Sequence, residues 1–139
     1  MDQNRFELEV NAKIDNLPVI MDFVGEKLTK FHTDPATVFR VQLAVDEAST
    51  NIIKYAYGEK EGLLKLIMEL NGDELVITLI NWGKPFDPAS IPHPDLDSAL
   101  EDRKIGGLGM YFIRKLMDEV SYSFDTVKGN RLILKKKLH

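Results

Sequence analysis

The spacing of apolar residues predicts one strand and then two helices in the first half of the chain. Residues 5–10 alternate charged and apolar side chains, which is the period of a half-buried strand. Apolar residues then recur every three or four positions over residues 19–31 and again over residues 38–55, as on the buried face of a helix. Residues 32–35 (His-Thr-Asp-Pro) separate the two helices, and Gly58 is the expected end of the second.

The period then shortens to two, which predicts two β-hairpins in the second half. Apolar residues alternate over residues 64–70 and 75–79, on either side of residues 71–73 (Asn-Gly-Asp). Asn-Gly is the strongest short hairpin signal, because both residues tolerate the positive φ angles of the tight turn. A second alternation covers residues 122–126 and resumes at Leu132, after a turn predicted at residues 128–130. We therefore expect two antiparallel strand pairs.

An irregular segment and a third helix lie between the hairpins. Residues 82–104 show no periodicity and hold four of the six prolines, so we expect a loop of about twenty residues, a length that is usually functional or disordered. A glycine-rich sequence at residues 106–109 opens a helix whose apolar positions continue to Met117. The order of elements predicts an α/β two-layer sandwich, with a mixed, mostly antiparallel sheet and the helices on one face.

Composition and charge narrow the classes of protein that fit this pattern. The chain has 139 residues, 44% of them apolar and 29% charged, and it has no cysteine, which is typical of one globular domain. A net charge of −4 argues against nucleic acid or an anionic membrane as the main partner. Because the sequence shows neither a signal peptide nor a membrane-spanning run, we expect a cytoplasmic protein.

The first sequence motif that can carry chemistry lies in the second predicted helix. Glu47 and Asn51 are four residues apart, hence about 40° apart on one helix face, and Lys54 lies about 20° from Glu47. One stripe of the helix therefore presents a carboxylate, an amide and an ammonium group. On its own this spacing is also what a solvated polar face would show.

Two further motifs follow at the ends of predicted elements. Asn81, Trp82 and Gly83 end a strand, where Gly83 and Pro85 permit a tight reversal of the chain. Residues 106–109 (Gly-Gly-Leu-Gly) open a helix, where free backbone N–H groups and the helix dipole favour an anion such as phosphate. The glycine motif matches neither the P-loop nor the dinucleotide-binding template.

The three motifs in this order resemble the ATPase domain shared by gyrase B, Hsp90-type chaperones, histidine kinases and MutL. Within that superfamily, residues 46–51, 83–88, 106–110 and 113–119 are most similar to the anti-sigma-factor serine kinases, the RsbW-type regulators. The resemblance extends from the first strand to Leu138. It implies a Bergerat-type ATPase fold and a single histidine-kinase-like ATPase domain over residues 1–139.

The resemblance also implies a role for each motif. Glu47 matches the catalytic base, which would take the proton of a serine hydroxyl as that oxygen attacks the γ-phosphate of ATP. Asn51 matches a Mg²⁺ ligand, and Lys54 matches a basic residue near the phosphates, although a solvent-facing lysine explains Lys54 equally well. The resemblance assigns the remaining nucleotide contacts to Asn81, Gly83, Gly106, Gly107, Leu108 and Gly109.

Asn81 departs from the family pattern. The family has an aspartate here, whose carboxylate accepts a hydrogen bond from the adenine amino group. An asparagine keeps one carbonyl acceptor and adds an NH₂ donor, so it can still bond adenine, even at two positions. This leaves open an alternative in which the pocket is degenerate and the chain binds proteins only.

The resemblance implies a regulator with two activities. It would phosphorylate a serine on an antagonist protein of the anti-anti-sigma-factor class, and it would sequester a sigma factor or another regulator, acting as a homodimer. Sequestration alone does not need the base Glu47. A histidine-kinase function based on His32 is disfavoured, because no acidic residue follows that histidine directly. The pattern does not decide whether Trp82 and Phe86 line the base pocket or belong to the core.

Overall fold

The computed structural model describes residues 4–86, 113–125 and 127–138. Five strands form one sheet in the order β1-β2-β3-β5-β4, and every pairing in it is antiparallel. The strands are β1 (Arg5–Asn11), β2 (Leu63–Asn71), β3 (Glu74–Asn81), β4 (Glu119–Ser123) and β5 (Asn130–Lys137). The helices are α1 (Leu17–Lys30) and α2 (Pro35–Asn51), and a π-helix (Ile52–Tyr57) continues α2.

One face of the sheet is apolar and forms the core with the helices. The register places Leu66 of β2 beside Leu8 of β1 and Leu79 of β3, and Leu79 beside Leu132 of β5. Buried residues of both long helices, such as Val24 and Val45, belong to the same apolar cluster as these strand residues. The predicted two-layer α/β sandwich with helices on one face is therefore confirmed.

The start of α2 follows from its sequence. His32 adopts a positive φ of 59° in the turn after α1, which is uncommon for a residue with a side chain. Asp34 then caps α2: its carboxylate accepts hydrogen bonds from the Thr37 backbone N–H at 3.1 Å and from the Thr37 hydroxyl at 2.8 Å. These bonds lower the pKa of Asp34. His32 is thus an exposed turn residue, as the sequence predicts.

The end of α2 departs from a regular α-helix. Immediately after Asn51 the chain widens into the π-helix, and the Gly58 N–H donates to the carbonyl of Ile53, five residues earlier, at 2.9 Å. Gly58 closes this helix at a positive φ of 61°. The predicted end near Gly58 is confirmed, but the change of helix type was not predicted.

The second hairpin differs from its prediction at two points. The predicted strand at residues 122–126 ends at Ser123, because Asp125 turns the chain by accepting the backbone N–H groups of Val127 and Lys128. Asn130 was predicted in the turn, yet it is the first residue of β5 and pairs with Asn81.

The third predicted helix is described only in part. Residues 113–116 are helical, whereas residues 87–112 lie outside the described part of the chain, including the predicted loop beyond Phe86 and the motif at residues 106–109. Among the described helices, none is long and apolar enough to cross a membrane.

Candidate functional site

Glu47 and Asn51 lie one turn apart near the end of α2. Glu47 is half-buried, whereas the side chain and backbone of Asn51 together are only 2% exposed. Spacing of four residues within the α-helix keeps the two side chains on neighbouring parts of one face. The predicted pairing of a carboxylate with an amide on α2 is therefore present.

The amide of Asn51 is buried and has no hydrogen-bond partner among the described residues. Neither its Oδ1 nor its Nδ2 atom bonds to any group in the part of the chain that the structure describes, and the same holds for the neighbouring Ser49 hydroxyl. Buried polar atoms in proteins almost always have a partner, and an unsatisfied one costs about 1–3 kcal/mol. A bound ligand or its metal ion would supply the missing partner, so Asn51 fits the predicted role.

Burial and a neighbouring charge raise the pKa of the Glu47 carboxyl. Loss of solvent is the larger cause, and the negative charge of Asp46 is the second. Burial also raises the pKa of Asp46. A raised pKa makes the Glu47 carboxylate a stronger proton acceptor, as a general base requires.

Lys54 does not continue the stripe of Glu47 and Asn51 at the expected position. The prediction assumed 3.6 residues per turn, but Lys54 lies in the π-helix, whose i to i+5 bonding places more residues in each turn. The angle of about 20° between Glu47 and Lys54 is therefore wrong. Lys54 instead lines the cleft described below.

Asn81, Gly83 and Asn130 form a hydrogen-bonded cluster at the end of β3. The Asn81 Oδ1 atom accepts the Gly83 N–H at 3.0 Å and the Asn130 Nδ2 donor at 3.1 Å. The same Asn130 Nδ2 also donates to the Gly83 carbonyl at 3.1 Å. Asn81 is 1% exposed and Asn130 is 4% exposed, so both amides are buried. The cluster fixes the orientation of the Asn81 side chain.

The turn after β3 packs directly on the π-helix. A Cβ atom at Gly83 would lie 2.6 Å from the Ala56 carbonyl oxygen, so only glycine fits there. The Lys84 N–H donates to that carbonyl at 2.7 Å. The Tyr57 hydroxyl accepts the Trp82 N–H at 2.9 Å and donates to the Leu63 carbonyl at 2.6 Å. These contacts join the π-helix to the turn after β3.

A cleft of about 470 Å³ opens between the π-helix and this turn. Three lysines and one glutamate contribute its charged lining, so the lining carries net positive charge, which suits phosphates. These residues are Lys54, Lys60, Lys84 and Glu61. Gly83 also lines the cleft, whereas Glu47, Asn51 and Asn81 are not part of its lining.

The two aromatic residues after β3 have different environments. Trp82 is 47% exposed and lines the cleft. Phe86 packs against the core, with its ring centroid 5.8 Å from that of Tyr55 and 5.8 Å from that of Tyr122. Phe86 therefore ties the segment after β3 to the π-helix and β4.

Four predicted site residues lie outside the described part of the chain: Gly106, Gly107, Leu108 and Gly109.

Two residues that support the candidate site were not predicted. Asn130 and Tyr57 position the turn at Gly83 through hydrogen bonds. The sequence signal for Asn130 indicated a turn residue, because an asparagine after Lys-Gly is typical of hairpin loops.

No group of three or more His, Cys, Asp or Glu side chains that could hold a metal ion occurs among the described residues. Mg²⁺ is usually bound by one or two protein ligands together with substrate phosphates and waters. The Asn51 amide, which has no partner in the part of the chain that the structure describes, fits that mode of binding.

The structure thus combines an antiparallel sheet that has helices on one face with a buried amide in α2 (Asn51) and a buried asparagine at the end of β3 (Asn81). Residues 10–136 match the family model described as "Histidine kinase-like ATPase domain". The chain therefore belongs to the histidine kinase-like ATPase domain family.

Two curated proteins are similar to this chain over most of its length. The chain is 28% identical to "Serine-protein kinase RsbW" of Bacillus cereus (strain G9842) in an alignment that covers 87% of this chain and 78% of the relative. It is 26% identical to "Anti-sigma F factor" of Clostridium acetobutylicum in an alignment that covers 97% of this chain and 94% of the relative.

A solved structure has the same fold. It contains the RsbU and RsbW domains of Rv1364c from Mycobacterium tuberculosis, and it matches with a TM-score of 0.68 at 16% identity. The match covers 96% of this chain and 32% of that longer chain. At 16% identity this similarity shows a shared fold and nothing about function.

Proposed function

We propose that this protein is an ATP-binding regulator that phosphorylates a serine on an antagonist protein and sequesters a sigma factor in a partner switch. The observation that carries the proposal is the buried Asn51 amide, which has no hydrogen-bond partner among the described residues and lies one turn after the half-buried Glu47. The names of the relatives, a serine-protein kinase and an anti-sigma factor, support it.

The proposal assigns a task to each group. Glu47 accepts the proton of the substrate serine, a task for which its raised pKa is suited. Asn51 holds Mg²⁺, which would neutralise charge on the phosphates when bound. Lys54 and Lys84 line the cleft and attract the negatively charged phosphates of the nucleotide. Asn81 contacts the base, and residues 106–109 hold the phosphates, as the resemblance implies.

Two substitutions in α2 test this assignment. We expect Glu47→Gln to keep binding of ATP with Mg²⁺ but to abolish phosphate transfer, because the amide keeps the shape and cannot accept the proton. We expect Asn51→Ala to weaken ATP binding in the presence of Mg²⁺ far more than in its absence. Calorimetry measures binding, and transfer of radiolabelled phosphate to a purified anti-anti-sigma-factor-class protein measures activity. Glu9→Gln, on the exposed side of β1, is the control for loss of charge.

The outcomes separate the kinase from the second candidate, a protein-binding module with a degenerate pocket. That candidate is motivated by Asn81, which stands where the family has aspartate. Absence of ATP binding in the folded wild-type protein would exclude the kinase and leave the module. Wild-type activity in Glu47→Gln would show that Glu47 is not the base.

The proposal includes two further properties. One is a homodimer, which the resemblance implies and which sedimentation of the purified protein tests directly. The other is the cytoplasmic location expected from the sequence pattern, which cell fractionation tests.

A further inference from the structure

The hydrogen bonds of Asn81 leave its side-chain oxygen without capacity for a ligand. A carbonyl oxygen has two lone-pair sites, and Asn81 Oδ1 already accepts two N–H donors, from Gly83 and from Asn130. Because both neighbours are donors, they also establish which of the two amide atoms is the oxygen.

The side-chain nitrogen of Asn81 is in the opposite situation. It carries two N–H donors, and no hydrogen bond within the described part of the chain uses them. Asn81 is 1% exposed, so its nitrogen has little access to bulk water, and it is the atom of this amide that is left to contact a ligand.

Rotation of the amide cannot exchange the two atoms at low cost. A half-turn about the last side-chain bond would place the Asn81 NH₂ group against the Gly83 N–H and the Asn130 NH₂. Two hydrogen bonds would be replaced by two donor–donor contacts. Asn130 is itself held, because its Nδ2 atom also donates to the Gly83 carbonyl. The donor orientation of Asn81 is therefore built into the fold.

We infer that the base pocket recognises an acceptor on the purine, and that it therefore binds 6-oxo purine nucleoside triphosphates about as well as ATP. This inference rests on the proposed function, which assigns Asn81 to the base. Adenine offers the ring nitrogen N1 as an acceptor, and guanine and hypoxanthine offer the O6 oxygen. A carboxylate at this position would instead favour the 6-amino group of adenine and repel O6.

Comparison of ATP with ITP isolates the edge of the base that Asn81 would contact. The two nucleotides share their ribose and phosphates, and they differ only along the base edge at positions 1 and 6. In the presence of Mg²⁺ we expect calorimetry on the wild-type protein to give ATP and ITP affinities within roughly threefold of each other, because either base can satisfy the buried donor.

The substitution Asn81→Asp provides the matched comparison. A carboxylate retains both bonds from Gly83 and Asn130, and it replaces the outward donor by an acceptor. We expect this variant to favour ATP over ITP by roughly tenfold or more, since the mismatched base leaves a buried polar group unpaired. Asn71→Asp, at the exposed end of β2, is the control for added charge, and circular dichroism confirms folding.

Each outcome supports or overturns the inference. A wild-type preference for ATP over ITP of tenfold or more overturns it while leaving the proposed kinase intact. An unchanged ratio of ATP to ITP affinity in folded Asn81→Asp also overturns it, because Asn81 would then not contact the base. If the wild-type protein binds no nucleotide, both the inference and the proposed function fail.

Discussion

Asp46 and Glu47 are adjacent carboxylates whose surroundings raise the pKa of each. For Glu47, part of the increase comes from the charge of Asp46. A base must be deprotonated to act, so the acid side of the pH profile of phosphate transfer follows the pKa of Glu47. That limb is therefore expected above the ordinary glutamate value of 4.5.

The substitution Asp46→Asn tests this electrostatic coupling. Removing the neighbouring charge lowers the pKa of Glu47, so the acid limb should move to lower pH while the rate at neutral pH changes little. The measurement is the pH dependence of phosphate transfer in single-turnover conditions. Asp22→Asn, on the exposed side of α1, should leave the limb in place. An unmoved limb in Asp46→Asn would contradict the assignment of Glu47 as the titrating base.

Sequence predicted the relative placement of Glu47 and Asn51 better than the contacts around Asn81. The spacing of Glu47 and Asn51 was sufficient to place them on one helix face, because α-helical geometry is nearly invariant. Asn130 was missed, since its role depends on β3 and β5 pairing in one register, and residues 81 and 130 are 49 positions apart. Long-range pairing of this kind leaves no local signal.

At the scale of elements, the π-helix explains why the α2 motif was only partly predicted. Periodicity identifies an amphipathic helix but does not distinguish i to i+4 from i to i+5 bonding over a single turn. The widened turn places Ala56 where its carbonyl receives the Lys84 N–H, and it brings Tyr57 to Trp82. The π-helix and the turn after β3 therefore stabilise each other's position.

Gly83→Ala should disrupt this packing. The new Cβ would lie 2.6 Å from the carbonyl oxygen of Ala56, which is backbone and cannot move alone. We expect a loss of about 1–3 kcal/mol in the free energy of unfolding, as for other overpacked sites, together with weaker ATP binding. Chemical denaturation and calorimetry measure the two effects.

Gly25→Ala is the matched control within α1. A Cβ there lies 2.7 Å from the Gln42 Nε2 atom, which must move and weaken its hydrogen bond to the Met21 carbonyl. Alanine favours the helix by about 1 kcal/mol over glycine, which offsets the loss of about 1 kcal/mol from that bond. This variant should be neutral or slightly stabilising and should bind ATP normally. If both substitutions lowered the free energy of unfolding equally, the close approach of Gly83 to the Ala56 carbonyl would not be the cause of the loss.

For the whole molecule, the patterns of apolar residues in the strands and helices predicted the two-layer sandwich. This succeeded because the apolar face of each element has to pack against the apolar face of another. The strand order β1-β2-β3-β5-β4 was not predicted, since pairing between β3 and β5 joins two hairpins that are separated by a long stretch of sequence. The assignment of residues 1–139 to one domain remains a prediction.

Unfolding of the complete chain tests that prediction. Trp82 is the only tryptophan, and it lies beside the cleft at the end of β3, so its fluorescence reports on the site, while circular dichroism reports on all elements. If the chain is one cooperative unit, the two signals should show the same urea midpoint. ATP with Mg²⁺ should raise both urea midpoints together, because the nucleotide binds only the folded state. At an ATP concentration 100 times the dissociation constant, the free energy of unfolding should increase by about 2.7 kcal/mol. A fluorescence transition that precedes the dichroism transition, or that alone responds to ATP, would show that the site and the rest of the sheet unfold separately.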